Sequence, residues 1–241
     1  MRFTTTFDDG APVEFDCEDT IVSRWVCESI LRGETYPHLP FLEDVRVILD
    51  VGANCGATTI FLAHHHPGAV VHCFEPAPEP RARLEHNVAD MADVHVHPFG
   101  LHERDDEVDL HVGIGSGMSS VVHEPDTPSQ IERIEVRSAD SWATEHGVDA
   151  IDILKVDVEG LEPQVLGSLA RLLPTVQACY LEYDSRQDRR AIAALFAPTH
   201  APCPRREFHP RNFPRDPSRF QRTGTRVRFA GPGPDQWFGS V

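Results

Sequence analysis

The chain has 241 residues, 40% of them hydrophobic, and a formal net charge of −16. That length suits one large domain with a full core or at most two small ones, and the apolar content is that of a globular fold. The acidic balance argues against a general nucleic-acid binder, which needs a basic face; no apolar run approaches membrane-spanning length and the threonine-rich, then acidic, start is no signal peptide, so a cytoplasmic protein without membrane or nucleic-acid partners is expected.

Residues 1–45 read as an N-terminal cap. Phe3 to Phe7 and Val13 to Phe15 flank Asp8-Asp9-Gly10, a hairpin signal. Ile21 to Leu31 reads as a helix capped by Asp19 or Thr20. Ten carboxylates against three arginines here form a solvated acidic face, or else a lid that attracts a cationic ligand; the solvated face is favoured.

Val47-Ile-Leu-Asp-Val51 then opens the core as a strand of apolar β-formers, followed by glycines at 52 and 56 and a helical spacing of Ala57, Ile60 and Phe61. Strand, glycine turn and helix make the first βα unit of a nucleotide-binding sheet, with Asp50 at the strand's carboxyl end, where ligands of open α/β sheets bind. The pattern Asp-x-Gly-x-x-x-Gly is not the dinucleotide fingerprint Gly-x-Gly-x-x-Gly. Ala69 to Phe74 is a second strand, Pro78 to Met91 a helix, and Val94 to Pro98 a third strand. Glu75 follows Asp50 by 25 residues, at the second strand's end. A carboxylate there accepts both ribose hydroxyls of an adenosine and repels a 2′-phosphate; the competing reading is a helix-capping acid before Pro76.

Glu107 to Val112 and Ile131 to Val136 alternate like half-wet strands, separated by the glycine-serine stretch 113–120 and a proline-containing loop, 124–130. Ser138 to Gly147 is a short helix with a serine cap and a glycine stop. Ile151 to Val156 is a second buried strand, Leu161 to Leu173 a helix, Val176 to Leu181 a strand, and Ser185 to Phe196 a helix with Ile192, Leu195 and Phe196 inward. From Pro198 the chain is proline-rich and net basic, with Phe208, Phe213, Phe220, Trp237 and Phe238 interleaved. The favoured reading packs these aromatics onto the sheet edge, with Arg226 to Phe229 as the last strand. Whether the tail closes over a substrate, lines a homodimer interface or does neither stays open.

Lys155 is the only lysine of the chain. Strand alternation puts it on one face with Asp157, and with Glu159 if the chain stays extended. Such groups at a strand's carboxyl end are costly unless paired or used, so the stretch is either a buried ion pair or an acid–base site, and the two are compatible. Glu182 ends the next strand on the same crevice. The six cysteines form no Cys-x-x-Cys pair, which leaves no zinc ribbon or redox motif. Of the fourteen histidines, His64, His65 and His66 are consecutive and point apart on a helix, while His95 and His97 have no third ligand beside them in sequence; no metal site is expected.

Taken in order, Asp50-Val-Gly-Ala-Asn-Cys-Gly56, Phe74-Glu-Pro76 and Leu154-Lys-Val-Asp-Val-Glu-Gly-Leu-Glu162 resemble the FkbM family of S-adenosylmethionine-dependent methyltransferases, from about residue 45 to about residue 196. Gly117-Met-Ser-Ser-Val121 and Ala139-Asp-Ser-Trp142 look like that family's intervening loop and the segment before its fourth core strand. The resemblance implies an α/β class I methyltransferase (Rossmann-like) open sheet, mostly parallel with an antiparallel last strand, in residues 46–241, beside the small cap of residues 1–45. It implies that Asp50, Gly52, Asn54 and Gly56 surround the methionine part of S-adenosylmethionine, that Glu75 holds the ribose, and that Leu101 lies near the adenine. The acceptor implied is a small-molecule hydroxyl, of natural-product or sugar type. Asp157, Glu159 or Glu182 would take its proton, with Lys155 orienting the base. Methylation of an amine or guanidine, an NAD-binding oxidoreductase and a non-catalytic binding module are the alternatives; against the second stand the missing fingerprint and the absence of a Tyr-x-x-x-Lys pair.

Overall fold

The computed structural model describes residues 1–113, 119–120, 129–183, 185–197 and 226–229. The parts of the two loops at 114–118 and 121–128, Asp184, and the aromatic positions expected to pack the tail lie outside these.

A two-stranded antiparallel hairpin, β1 (Arg2–Thr6) and β2 (Pro12–Asp16), comes first, followed by α1 (Ile21–Leu31). The helix starts where Thr20 accepts the Ser23 N–H at 3.0 Å. The central sheet uses β3 (Val47–Val51), β4 (Val70–Phe74), β5 (Val94–His97), β10 (Ile153–Val156), β11 (Ala178–Leu181) and β12 (Arg226–Phe229) in the order β12-β11-β10-β3-β4-β5. All neighbours are parallel except β12 against β11. The chain leaves β3 toward β4 and β5, then returns to the other side as β10. The carboxyl ends of β3 and β10 therefore form the switch point at which open α/β sheets bind ligands.

Three helices, α2 (Ala57–His65), α3 (Pro78–Asn87) and α1, share one core with the hairpin; α4 (Ala139–Glu145), α5 (Glu162–Ser168) and α6 (Arg186–Phe196) share the other. Strand alternation divides the sheet between them. Ile48, Ile153 and Tyr180 face the first core; Leu49, Val51, Leu154, Val156 and Leu181 face the second. Phe3, Phe7, Phe15, Leu31, Tyr36 and Leu39 belong to the same cluster as Phe61 and Leu62, so residues 1–45 complete the covering of that face of the sheet.

One feature goes beyond the sequence reading and one departs from it. The alternating strands belong to a sheet of their own: β6 (Gly100–His102), β7 (Asp106–Gly113), β8 (Ser119–Ser120) and β9 (Ser129–Ser138) pair in the order β6-β9-β7-β8. Its apolar face, Leu110, Ile134 and Val136, packs on Ala77 just beyond β4. The expected helix over 161–173 ends at Ser168 and resumes as a 3-10 turn at Leu173–Thr175. Gly167 and Ser168 are weak helix formers, and Pro174 disfavours helix at the residue before it.

Candidate active site

Register decides which side chains meet. Phe74, Val51, Val156 and Leu181 are aligned across β4, β3, β10 and β11. The next residue of each strand is Glu75, Gly52, Asp157 and Glu182, so one edge carries three carboxylates around a glycine turn.

The turn is built by close approach. Gly52 has φ of +80°, and a Cβ there would stand 1.9 Å from the Asp157 carbonyl oxygen. Gly56 has φ of +90° and faces Leu84 of α3, whose Cδ1 would lie 2.6 Å from an added Cβ. Between them Asn54 adopts φ of 50°, which asparagine tolerates, and its side chain accepts the Cys55 N–H at 2.7 Å. The Asn54 N–H donates to Glu75 Oε2 at 2.9 Å, and the Ala77 N–H to Glu75 Oε1 at 2.9 Å. Glu75 is buried, and burial pushes its pKa up to about 7 against these two N–H donors.

Lys155 and Asp50 form the buried centre. Their charged atoms lie 3.2 Å apart, at 3% and 0% side-chain exposure. Thr59 in α2 donates to Asp50 Oδ2 at 2.7 Å. The Lys155 ammonium also donates to the carbonyls of Gly52 (2.6 Å) and Val51 (3.4 Å), and lies 3.8 Å from Asp157 Oδ2. Burial opposes its charge, but Asp50 and Asp157, with Glu182 behind them, outweigh it and raise its pKa. The ion pair read from the sequence is thus present, and its nearer partner is Asp50 on the adjacent strand.

Asp157 shares a face with Lys155 as alternation requires. Glu159 does not continue that line: the chain leaves the extended conformation, with φ of 54° at Glu159 and 105° at Gly160. Leu101 lies in β6 with its side chain packed in the core cluster that holds Phe74 and Phe99, so any ligand contact there would come through its backbone. Three residues at this edge were not singled out from sequence. Tyr36, from the segment after α1, donates to Asp157 Oδ2 at 3.3 Å, and its phenol is kept protonated by burial and by Asp157, Glu182 and Asp50. Glu162 caps the loop after β10. Thr59 lies in the first turn of α2, where its position beyond the glycine turn was a readable signal; Tyr36, 121 residues from Asp157, offered none.

A cleft of about 570 Å³ lies elsewhere, at the amino ends of β3 and β4 between Val47, Val70, His72 and His146. It opens at the opposite edge from these carboxylates.

The model of the methyltransferase FkbM domain matches residues 50–206, well over half of the chain. The chain belongs to the FkbM methyltransferase family. Among FkbM-type relatives, it is 27% identical over 159 residues to the 2-O-methyltransferase NoeI of Sinorhizobium fredii, covering 58% of this chain and 64% of that protein. It is 34% identical over 154 residues to the 31-O-demethyl-FK506 methyltransferase FkbM of Streptomyces tacrolimicus, covering 51% and 59%. The chain thus spans less than two-thirds of the length of these relatives. Among solved structures, the Methanococcus jannaschii fibrillarin pre-rRNA processing protein superposes with a TM-score of 0.50 over 96% of this chain and 84% of that one, at 12% identity, a likeness of fold. The α/β class I architecture expected for the family is the one present.

Proposed function

We propose that this FkbM-family chain transfers a methyl group from S-adenosylmethionine to a hydroxyl group of a small molecule. The observation that carries the reading is Glu75. It is a buried carboxylate at the end of β4 whose two oxygens each hold one backbone N–H. Each oxygen keeps a further lone pair, which fits the two hydroxyls of a ribose. The family and the names of both relatives favour an oxygen acceptor over the amine, guanidine and NAD readings.

In this reading the turn from Gly52 to Gly56 cradles the methionine part through its backbone. Asp50, fully enclosed, supports the cradle by holding Lys155 and Thr59. Lys155 ties the Gly52 carbonyl to the end of β10, which fixes the turn relative to Asp157. The bound sulfonium supplies an electrophilic methyl group, so the protein's work is alignment, exclusion of water and removal of one proton. Asp157 is our assignment for the acceptor of the hydroxyl proton, with Tyr36 orienting its Oδ2; Glu159 and Glu182 flank it. Residues 1–45 then act as the cap that closes one wall of the site through Tyr36.

Calorimetry with S-adenosylhomocysteine and NAD tests this, on the wild type and Glu75→Ala. The former alone should bind, at least about ten-fold more weakly to the variant. Binding of NAD, or of neither, refutes the reading. With an acceptor found by mass shift, Asp157→Asn should cost about 10²–10⁴-fold in turnover while cofactor affinity holds, the usual scale of a lost general base.

A further inference from the structure

Three segments converge at the far end of α2 from the glycine turn. The β1–β2 turn brings Asp8, the segment after α1 brings His38, and α2 ends on His65. A carboxylate oxygen and one nitrogen from each ring all lie within 4.8 Å of one another. The His65 side chain is only 7% exposed, and Asp8 Oδ1 lies 2.7 Å from its Nε2. Yet that nitrogen has no hydrogen-bond partner, because the oxygen stands off the line a ring N–H requires. A buried ring nitrogen left so is costly. A cation set between nitrogen and oxygen satisfies both at once.

We propose that Asp8, His38 and His65 bind one divalent transition-metal ion of the zinc class. Two imidazoles and a carboxylate, with a fourth position open to water, are a donor set of that class; calcium and magnesium prefer oxygen alone. Two of the donors are backed by neighbours. Gly33 packs against Asp8, since an added Cβ there would lie 3.2 Å from Oδ2. Phe61 meets the His65 ring edge-on, with centroids 4.6 Å apart. Binding demands two movements. Asp8 Oδ1 must draw back slightly from His65 Nε2, since tetrahedral donors about 2.0–2.1 Å from an ion stand about 3.3 Å apart. The His38 and His65 rings are stacked, with centroids 4.1 Å apart at 14°, so their lone pairs lie in nearly parallel, separate planes and His38 must turn its ring to converge on the ion. The neighbouring pair is a different arrangement: His64 Nε2 is engaged with Asp9 at 2.8 Å and its ring is stacked on Phe7.

The ion has a structural consequence at the catalytic edge. His38 follows Tyr36 by two residues, and the Pro37 carbonyl accepts the Tyr180 hydroxyl at 2.8 Å. A metal at His38 anchors the outer end of the strap whose inner end meets Asp157. Ligand spacing along the chain gives no means of assembling a trio from three separate elements.

The test is calorimetric titration of Zn²⁺, and absorption titration of Co²⁺, into the tag-free full chain after treatment with a chelator. One ion per chain is expected, with the visible Co²⁺ bands of a four-coordinate site and a higher melting temperature in Zn²⁺. His38→Ala and Asp8→Asn should each weaken binding at least ten-fold, while His86→Ala, exposed on α3, binds as the wild type does. His65→Ala should do the same as His38→Ala; if it does not fold, the other two variants decide. No stoichiometric binding, or binding that survives His38→Ala and Asp8→Asn unchanged, overturns the proposal.

Discussion

Glu162 shows how much a single side chain arranges at this edge. It is 1% exposed, and its Oε1 accepts the N–H groups of Val158 at 3.0 Å and Gly160 at 3.2 Å. That pins the loop carrying Glu159 in its left-handed conformation. Its Oε2 is buried without a hydrogen-bond partner, and burial pushes the pKa up to about 7. The unfolded carboxyl titrates near 4.5, so between that value and about 7 the native state holds the extra proton. Stability from this group is therefore greatest at acid pH, falls as pH rises through the window, and levels off above it. Glu162→Gln keeps an accepting oxygen and removes the charge. Relative to the wild type it should gain about 1–3 kcal/mol, a few degrees of melting temperature, between about pH 5 and about pH 8. Thermal unfolding at both ends of that range reads it; a constant difference between the two proteins shows that Glu162 stays ionised throughout. The sequence displayed Glu162 within the family motif without distinguishing it from half-buried neighbours such as Asp157 and Glu159, since nothing local tells a buried glutamate from a wetter one.

At the scale of elements, the turn after β3 is the tightest joint. Its first glycine is fixed twice over, by a positive φ and by the backbone at the end of β10 pressing where a side chain would be. Gly52→Ala must push Asp157 and its strand end away, and should destabilise the protein by at least about 3 kcal/mol, beyond ordinary left-handed strain. Urea unfolding measures the loss. A variant that unfolds like the wild type would mean that β10 can withdraw from β3 without penalty. This turn was legible in the sequence because two glycines set between an apolar run and a helical spacing mark a tight passage from strand to helix. The capped starts of α1, α4 and α6 were legible for a similar reason: Thr20, Ser138 and Ser185 each accept the backbone N–H three residues on, from Ser23, Ser141 and Asp188. The second sheet was not. Alternation identifies a strand with one wet face, but it does not say which neighbour the strand joins.

At the scale of the molecule, the core strands and the positions of Glu75, Gly52, Asp157 and Glu182 at their ends followed from local signals, since each sits one residue past an apolar run; which strand lies beside which is read from the structure. What local signals could not reach was contact between distant segments. Tyr36 against Asp157, the His38 trio, and the sharing of one core between residues 1–45 and α2 all depend on how the chain folds back. The acids of the N-terminal segment show the same limit. Several are engaged rather than merely solvated: Asp16 near Arg83, Glu28 with Arg24 and Asp9 with His64, while Asp8 lies against His65 without a hydrogen bond.

The solitary lysine makes this protein its own reporter. Lys155 is 3% exposed, tied to Asp50 and to two carbonyls at the middle of the sheet, and apart from the α-amino group the chain carries no other primary amine. An amine-acylating reagent should therefore modify the folded chain at its α-amino group alone, and add a second label only when β10 separates from β3. Mass spectrometry of timed acylation then counts opening events of the central strands directly, against a background free of surface lysines. Rapid second labelling under native conditions would show that the heart of the sheet breathes far more readily than its packing implies.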